Sequence, residues 1–237
     1  MAIREHRPPT ALAAWLDCVW ERTDHRGAGA RILPDGCIDV VFSRSRGLRL
    51  IGANTVAFIS DVEPGEPVIG ARLVPGAAPA LLGIAAEPVL DRRPPLSELL
   101  GDEGHRLQAL LYESADRVAT LRGWVTERAL HARAPDPLVA ATVCGMVEGD
   151  HRVGPLADSL GISERALRRR VTAAVGYGPK RLARVLRLRR ALALAGDGSP
   201  LVDVAYEAGY ADQAHFGHDC LELAGIAPGR FLQDAAR

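Results

Sequence analysis

Cysteine is scarce and scattered. Cys18, Cys37, Cys144 and Cys220 stand singly with no C-x-x-C spacing, so neither a disulfide framework nor a zinc knuckle is encoded locally, and reduced thiols are expected. No apolar run approaches the roughly 18 to 20 residues needed to cross a bilayer. The start, Met1 to Thr10, lacks the long hydrophobic stretch of a secretory signal, so the chain reads as cytoplasmic with no membrane partner. Aromatic residues make up only 5%, which leaves aliphatic side chains to build the core. Lys180 is the one lysine among 29 basic residues, a compositional bias of a GC-rich genome that carries no function by itself. An excess of either charge is missing too, with 29 basic against 29 acidic residues, and this balance alone gives no reason to expect nucleic acid. What is present is a chain of 237 residues, 48% hydrophobic, long enough for a real core and for two domains. A fibrous or disordered protein is excluded.

The zero net charge hides segregation along the chain. From Arg165 to Arg190 there are ten basic residues and no acid, whereas Asp197 to Arg237 carries seven acids against two bases. A basic stretch of this kind is an electrostatic footprint for a polyanion once a fold presents it on one face.

Residues 1–93 have the grammar of short strands. Asp17 to Thr23, Arg31 to Leu33, Cys37 to Ser43, Leu48 to Gly52, Ala57 to Ser60 and Val68 to Val74 are separated by Gly, Pro and Asp. They predict a small β-rich domain, cupin-like or barrel-like. Leu33-Pro34-Asp35-Gly36-Cys37 lies between two apolar runs and predicts a hairpin, and Ala77 to Leu82 a short covering helix. From Pro94 the period changes to about 3.6, with Leu96, Leu99 and Leu100, then Leu107, Leu110 and Leu111, then Val118, Leu121, Val125 and Leu130. Residues 94–134 therefore read as a helical connector that supports the fold internally or forms a homodimer surface. His131 to Pro137 marks the next boundary, where Asp136 is placed to cap a helix with Pro137 at its first position.

Residues 135–237 read as an all-α domain, making the whole chain α+β. Pro155 to Leu160, the break at Gly161 and a helix capped by Ser163 and running to about Ala174 form a helix-turn-helix. The arrangement recurs as Val202 to Ala208, a break at Gly209, and a helix capped by Asp212 and running to about Ala224. Between the two, Pro179 begins a long helix to Ala195, of a length to hold two recognition helices about 34 Å apart, one DNA turn. On the first recognition helix Leu167 and Val171 face inward, while Arg165, Arg168 and Arg169 share the opposite face at i, i+3 and i+4. An arginine there can bond guanine O6 and N7 together.

The stretches L-A-D-S-L-G-I-S-E-R-A-L-R-R-R-V from Leu156, G-Y-G-P-K-R-L-A-R-V-L-R-L-R-R-A from Gly176, V-A-Y-E-A-G-Y-A-D-Q-A-H-F from Val204 and G-I-A-P-G-R-F from Gly225 resemble the AraC/XylS family of bacterial transcription regulators over residues 138–234. R-I-L-P-D-G-C-I-D-V-V-F and L-D-R-R-P-P-L-S-E-L-L-G resemble a poorly understood domain found ahead of such readers. The resemblance implies double-stranded DNA as partner, RNA polymerase as a further partner of an activator, and no cofactor. It implies base reading by Arg165, Arg168, Arg169, Gln213 and His218. Ser163, Lys180, Arg181 and Arg184 are the expected phosphate contacts, which set register and salt dependence. The second unit departs from the family pattern, since Gly217 has no side chain, His218 stands where arginine is frequent, and Cys220 stands where phenylalanine is usual. Asp212, Asp219 and Glu222 would repel phosphate if exposed. The first unit is expected to dominate specificity.

An N-terminal effector site for a small molecule is the companion expectation. Trp20, Asp39 and Arg72 are its candidate residues, because an acid and a base within strands need partners or a ligand if they point inward. A pure oligomerisation or protein-interaction module is the alternative. Catalysis is the third reading: Cys18 or Cys37 near Asp39 as an activated thiol, in the manner of cysteine-dependent DNA-repair regulators, or a small-molecule enzyme. The zinc-cysteine pattern of such repair proteins is absent. His215 and His218 with Asp219 look superficially like metal ligands but lack a third partner at suitable spacing, so no metal and no catalytic residue are assigned.

Overall fold

The computed structural model describes residues 2–23, 30–63, 65–149, 151–196 and 199–230. Among these residues seven strands come first: β1 (Ala2–His6), β2 (Leu16–Thr23), β3 (Arg31–Ile32), β4 (Ile38–Ser43), β5 (Gly47–Ile51), β6 (Phe58–Ile59) and β7 (Pro67–Leu73). Ten α-helices of the described residues follow: α1 (Ala78–Leu82), α2 (Leu96–Leu100), α3 (Asp102–Glu113), α4 (Arg117–His131), α5 (Pro137–Glu148), α6 (Val153–Ser159), α7 (Glu164–Val175), α8 (Pro179–Ala195), α9 (Leu201–Glu207) and α10 (Gln213–Ala224). The strands form an antiparallel sheet in the order β1-β2-β7-β4-β5 and a separate pair, β3-β6. The larger sheet is open, with β1 and β5 at its edges.

Strand alternation sorts the side chains into two faces. Ile38, Val40 and Phe42 of β4, Leu48 and Leu50 of β5, and Ile69, Ala71 and Leu73 of β7 are buried in the main core. The residues between them, Asp39, Val41, Arg49, Gly70 and Arg72, lie on the opposite face. The helical connector packs on the apolar face: α4 against β2 and β7, α2 and α3 against β5. Internal support is thus one role of the connector, carried by buried Leu107, Leu111, Leu121 and Val125.

Two features depart from the sequence reading. The turn at Leu33 to Cys37 exists, with Gly36 at φ 81° and the Cys37 N–H donating to Asp35 Oδ1 at 2.9 Å, but it does not close a hairpin. β3 pairs with β6, while β4 pairs with β5 and β7, so the turn carries the chain from one sheet to the other. Strand β1 was not anticipated, because A-I-R-E-H lacks a run of apolar residues. Its pairing with β2 supplies the order that its composition does not.

The C-terminal helices begin where their caps stand. Asp136, Ser163 and Asp212 each accept a backbone N–H, from Leu138, Ala166 and His215 respectively, satisfying orphan donors of α5, α7 and α10. Helix α8 is apolar on two sides. Leu182, Ala183 and Leu186 enter the core shared with the sheet, the connector and α7, whereas Val185, Leu188, Ala191 and Leu192 enter a second core with Phe216, Cys220 and Leu223. The first core is continuous from Leu12 to Leu186, so the β domain and the first helix-turn-helix pack as one. Among the described residues no helix is long and apolar enough to cross a membrane.

Candidate nucleic-acid interface and ligand cavity

Helix α7 presents Leu167 and Val171 inward, both fully buried, and Arg165, Arg168 and Arg169 outward, all exposed. None of the three makes an ion pair among the described residues, so their charge is available to a polyanion. Arg170, one position further round, is committed elsewhere: its Nη1 donates to Asp136 Oδ2 at 2.6 Å, tying α7 to the start of α5. Burial works to raise the Asp136 carboxyl, but the bonds from Arg170 and the Leu138 N–H hold it below its ordinary value. Ser163 is exposed, and its oxygen is used as the cap of α7.

The basic residues of α8 tell a different story. Arg184 donates to Asp219 Oδ1 at 2.7 Å and to Glu222 at 2.6 Å. Arg187 lies 3.3 Å from the other Asp219 oxygen and 4.4 Å from the centre of the Tyr210 ring. Arg181 donates to the Thr55 carbonyl at 2.8 Å and Arg190 to that of Glu148 at 3.2 Å. Arg184 and Arg181, expected from the sequence as phosphate contacts, thus both have partners within the fold. Asp219 is 2% exposed, and a carboxylate taken out of water needs cationic partners, which α8 supplies. Lys180 is exposed and carries no ion pair among the described residues.

On α10, Gln213, Ala214 and His218 are exposed, as a groove-facing row would be. Asp219 does not face solvent, Asp212 spends its carboxylate on the cap, and Glu222 is held below its ordinary value first by its hydrogen bond from Arg184. The expected phosphate repulsion is largely cancelled within the fold. Cys220 is fully buried at the place Val171 takes in the first unit. Residues 231–237, and with them Phe231 of the last motif, lie outside the described residues. Among the described residues His218, Asp219 and Glu222 have ligand atoms within 4.8 Å of one another, but both carboxylates are already bonded to arginine, whose charge opposes a cation. His215 does not join them; its ring stands edge-on to Tyr210 at 5.1 Å.

The second site lies on the polar face of the large sheet. A cavity of about 450 Å³ opens between that face, the β3-β6 pair and the flank of α8, which contributes Arg189 and Leu192. Trp20, Asp39 and Arg72, expected from the sequence as effector residues, come together in its wall. The Trp20 Nε1–H donates to Asp39 Oδ2 at 3.0 Å, and Arg72 Nε lies 3.6 Å from the same oxygen and 3.5 Å from Asp35 Oδ2. Glu5 reaches Arg72 from β1 at 3.7 Å. Asp39 Oδ1 is buried with no hydrogen-bond partner. Burial pushes the Asp39 carboxyl up to about 7, against the pull of the Arg72 guanidinium. Sequence reasoning missed Glu5, whose signal lies only in strand register, Glu5 standing opposite Trp20 and Asp39 opposite Arg72, and Asp35, which the turn ahead of β4 brings to Arg72. It also missed Gly70, where a Cβ would overlap the Trp20 indole.

Cys18 and Cys37 are both buried. Burial pushes Cys18 up to about 12 and Cys37 well above its ordinary value, with Asp35 and Asp39 adding to the rise at Cys37. A nucleophilic thiol needs the opposite shift.

The wider likenesses of the chain follow the same division. Residues 156–234 match the family model described as a helix-turn-helix domain, and residues 4–95 match a domain of unknown function (DUF6597). No curated protein matches. A transcriptional regulator with an AraC-type DNA-binding domain from Chromobacterium violaceum is 23% identical, the match covering 43% of this chain and 94% of that one with a TM-score of 0.40. The C-terminal domain of AraT, a response regulator from Geobacillus stearothermophilus, is 20% identical over 42% of this chain and 86% of its own, with a TM-score of 0.40. ToxT from Vibrio cholerae is 13% identical over 98% of each chain, with a TM-score of 0.46.

Proposed function

We propose, from the match of residues 156–234 to a helix-turn-helix domain, that this chain is a sequence-specific, double-stranded DNA-binding transcription regulator of AraC type whose N-terminal domain responds to a small molecule. The observation that carries the reading is a contrast between two neighbouring helices. Arg181, Arg184, Arg187 and Arg190 of α8 are bound inside the fold, while Arg165, Arg168 and Arg169 of α7 stand outward with no ion pair among the described residues. Helix α8, 17 residues long, is a rod of about 26 Å that separates two helix-turn-helix units on separate cores. Arg165, Arg168 and Arg169 read bases in the first major groove, with Gln213 and His218 as readers in the second. Lys180 and Ser163 then serve phosphate.

The cavity that gathers Trp20, Asp39 and Arg72 supports the sensing half of the reading, because it shares a wall with α8. The β5–β6 connection continues the link: the Ala57 N–H donates to the Leu223 carbonyl at 2.7 Å, and Arg31 donates to the Ala224 carbonyl at 2.9 Å. An occupant of the cavity thus touches the same elements that seat α10. A homodimer belongs to the outer side of α3 and α4, where Leu110 and Leu130 are exposed, and RNA polymerase is the further partner of an activator. A domain serving only for oligomerisation would have little use for a buried, unpartnered carboxylate oxygen beside an arginine.

The test is footprinting of the purified full chain on the DNA upstream of its own gene. A discrete protected segment with two parts about one helical turn apart is expected. Uniform binding to any duplex would overturn sequence-specific recognition.

A further inference from the structure

Charge in the cavity is unevenly compensated. Arg72 takes three acids, Glu5, Asp35 and Asp39, and Arg46 takes Asp61. Five other arginines reach the lining: Arg22 donates to Ser60 Oγ at 3.3 Å, and Arg31, Arg49, Arg93 and Arg189 have no carboxylate within ion-pair distance among the described residues. Arg49 is held by carbonyls, donating to Arg93 O at 2.6 Å and to Arg46 O at 3.2 Å. Arg93 lies flat over the Phe58 ring at 3.5 Å, and its Nε is buried with no hydrogen-bond partner. Among the described residues Arg31 donates to the Ala224 carbonyl.

Carbonyls and ring faces orient a guanidinium without cancelling its charge. A half-enclosed site with several such groups carries a positive potential that an oxyanion would neutralise. The strands bring this charge to one end: Arg31 adjoins Ile32, Ile32 pairs with Phe58, Phe58 carries Arg93, and Arg93 holds Arg49. Trp20, Val41, Ile51 and Val68 give the wall an apolar stretch. A volume of about 450 Å³ is in the range of sites for small organic molecules.

We propose that the cavity binds an organic oxyanion with an apolar body, its charged head among Arg49, Arg93 and Arg31 beside Phe58 and its body along Trp20, Ile51 and Val68. This rests on the reading of the cavity as the effector site and names the chemistry of the effector. Arg31 has two claimants in such a complex, the ligand head and the last carbonyl of α10, so occupancy acts directly on the seat of the second recognition helix.

The test is displacement of anilinonaphthalene sulfonate, a fluorescent aromatic anion, from the full-length protein by three competitors with one body and different heads: phenylbutyrate, phenylbutanol and phenylbutylamine. Phenylbutyrate should displace the probe at a concentration about tenfold below phenylbutanol, as expected for a charge-assisted hydrogen bond, and phenylbutylamine should not compete. Inorganic phosphate alone, lacking the body, should be weak. Arg49→Met and Arg93→Met should each weaken phenylbutyrate about tenfold while leaving phenylbutanol unchanged, which separates loss of charge from loss of fold. Equal displacement by the amine or the alcohol overturns the oxyanion assignment and leaves a small-molecule site standing. Substitutions that weaken all three alike, or absence of any probe binding, overturn it as well. Footprinting reports the DNA reading independently of every one of these results.

Discussion

Arg184 and Asp219 form a two-point contact between α8 and α10, with the guanidinium Nε and Nη2 at 3.1 and 2.7 Å from one carboxylate oxygen that is itself sealed from solvent. The second recognition helix is thereby fastened to the rod that joins it to the first. Glu222 binds the same guanidinium from the next turn of α10, and Arg187 covers the remaining oxygen of Asp219. Placement of α10 depends on this cluster as well as on the small apolar core behind it.

Arg184→Ala removes the main partner of a buried carboxylate. A fully stranded charge costs about 3–5 kcal/mol, and because Arg187 remains, a loss of about 2 kcal/mol is expected in urea unfolding. DNA affinity should fall, yet the slope of log affinity against log salt should stay unchanged. A phosphate-contacting residue would instead lower that slope by about 0.9, the result expected for Lys180→Ala.

Arg168→Ala should act on specificity. Binding to a set of operators with single base-pair changes should lose about 1–3 kcal/mol of discrimination at one or two adjacent positions and keep it elsewhere. Folding stability should stay within about 0.5 kcal/mol of the parent, since an exposed side chain without partners is removed. Loss spread evenly over every sequence would show that Arg168 touches backbone phosphate.

Gly70→Ala tests how the polar end of the cavity is built. A methyl group on β7 would occupy the space of the Trp20 indole, so the ring must swing away and release Asp39. A loss of about 1–3 kcal/mol, with a shift in tryptophan emission, is expected. A stable variant with unaltered emission would mean that the indole does not lie against the strand.

Asp39 predicts a pH dependence of stability. The unfolded carboxyl titrates near 4, whereas burial raises the folded group to about 7 despite Arg72, with Asp35 adding to the rise and the Trp20 N–H opposing it. Between these values the folded state keeps a proton that the unfolded chain has given up. Stability should therefore decline as pH rises through this window, by at most about 1.4 kcal/mol per pH unit, and level off above it. Glu103 and Asp136 are held below their ordinary values by arginine and hydrogen-bond partners, despite burial. Their contribution is lost only as pH falls further, below the Asp39 window. Unfolding curves from about pH 4 to about pH 8 on the parent and Asp39→Asn decide the matter, since the variant should be nearly flat across the window.

Much of the local structure was legible in the residues. Ser163, Asp136 and Asp212 are caps because a short side-chain oxygen ahead of an apolar periodic run has one favourable geometry, and each does cap. The outward row on α7 follows from a 3.6-residue period with Leu167 and Val171 inside. Trp20, Asp39 and Arg72 were recognisable one at a time as polar or aromatic residues within apolar strands. Their meeting was not, because it depends on β7 lying between β2 and β4, a pairing that strand sequences do not announce.

The hairpin expected at Leu33 to Cys37 failed for the same reason. A turn needs only local backbone preferences, and Gly36 satisfies them, but the partner of the outgoing strand is chosen by long-range packing. The basic run on α8 shows the limit most clearly: one stretch of arginines divides among Asp219, Glu222, backbone carbonyls and the cavity according to what stands opposite each turn.

The C-terminal helices, their caps and the exposed face of α7 were determined by the sequence itself, since they rest on interactions within a few residues. Which arginines stay outward and which are consumed internally was decided by tertiary structure alone, because a charge takes its role from the nearest opposite charge in space and the depth at which the two are buried.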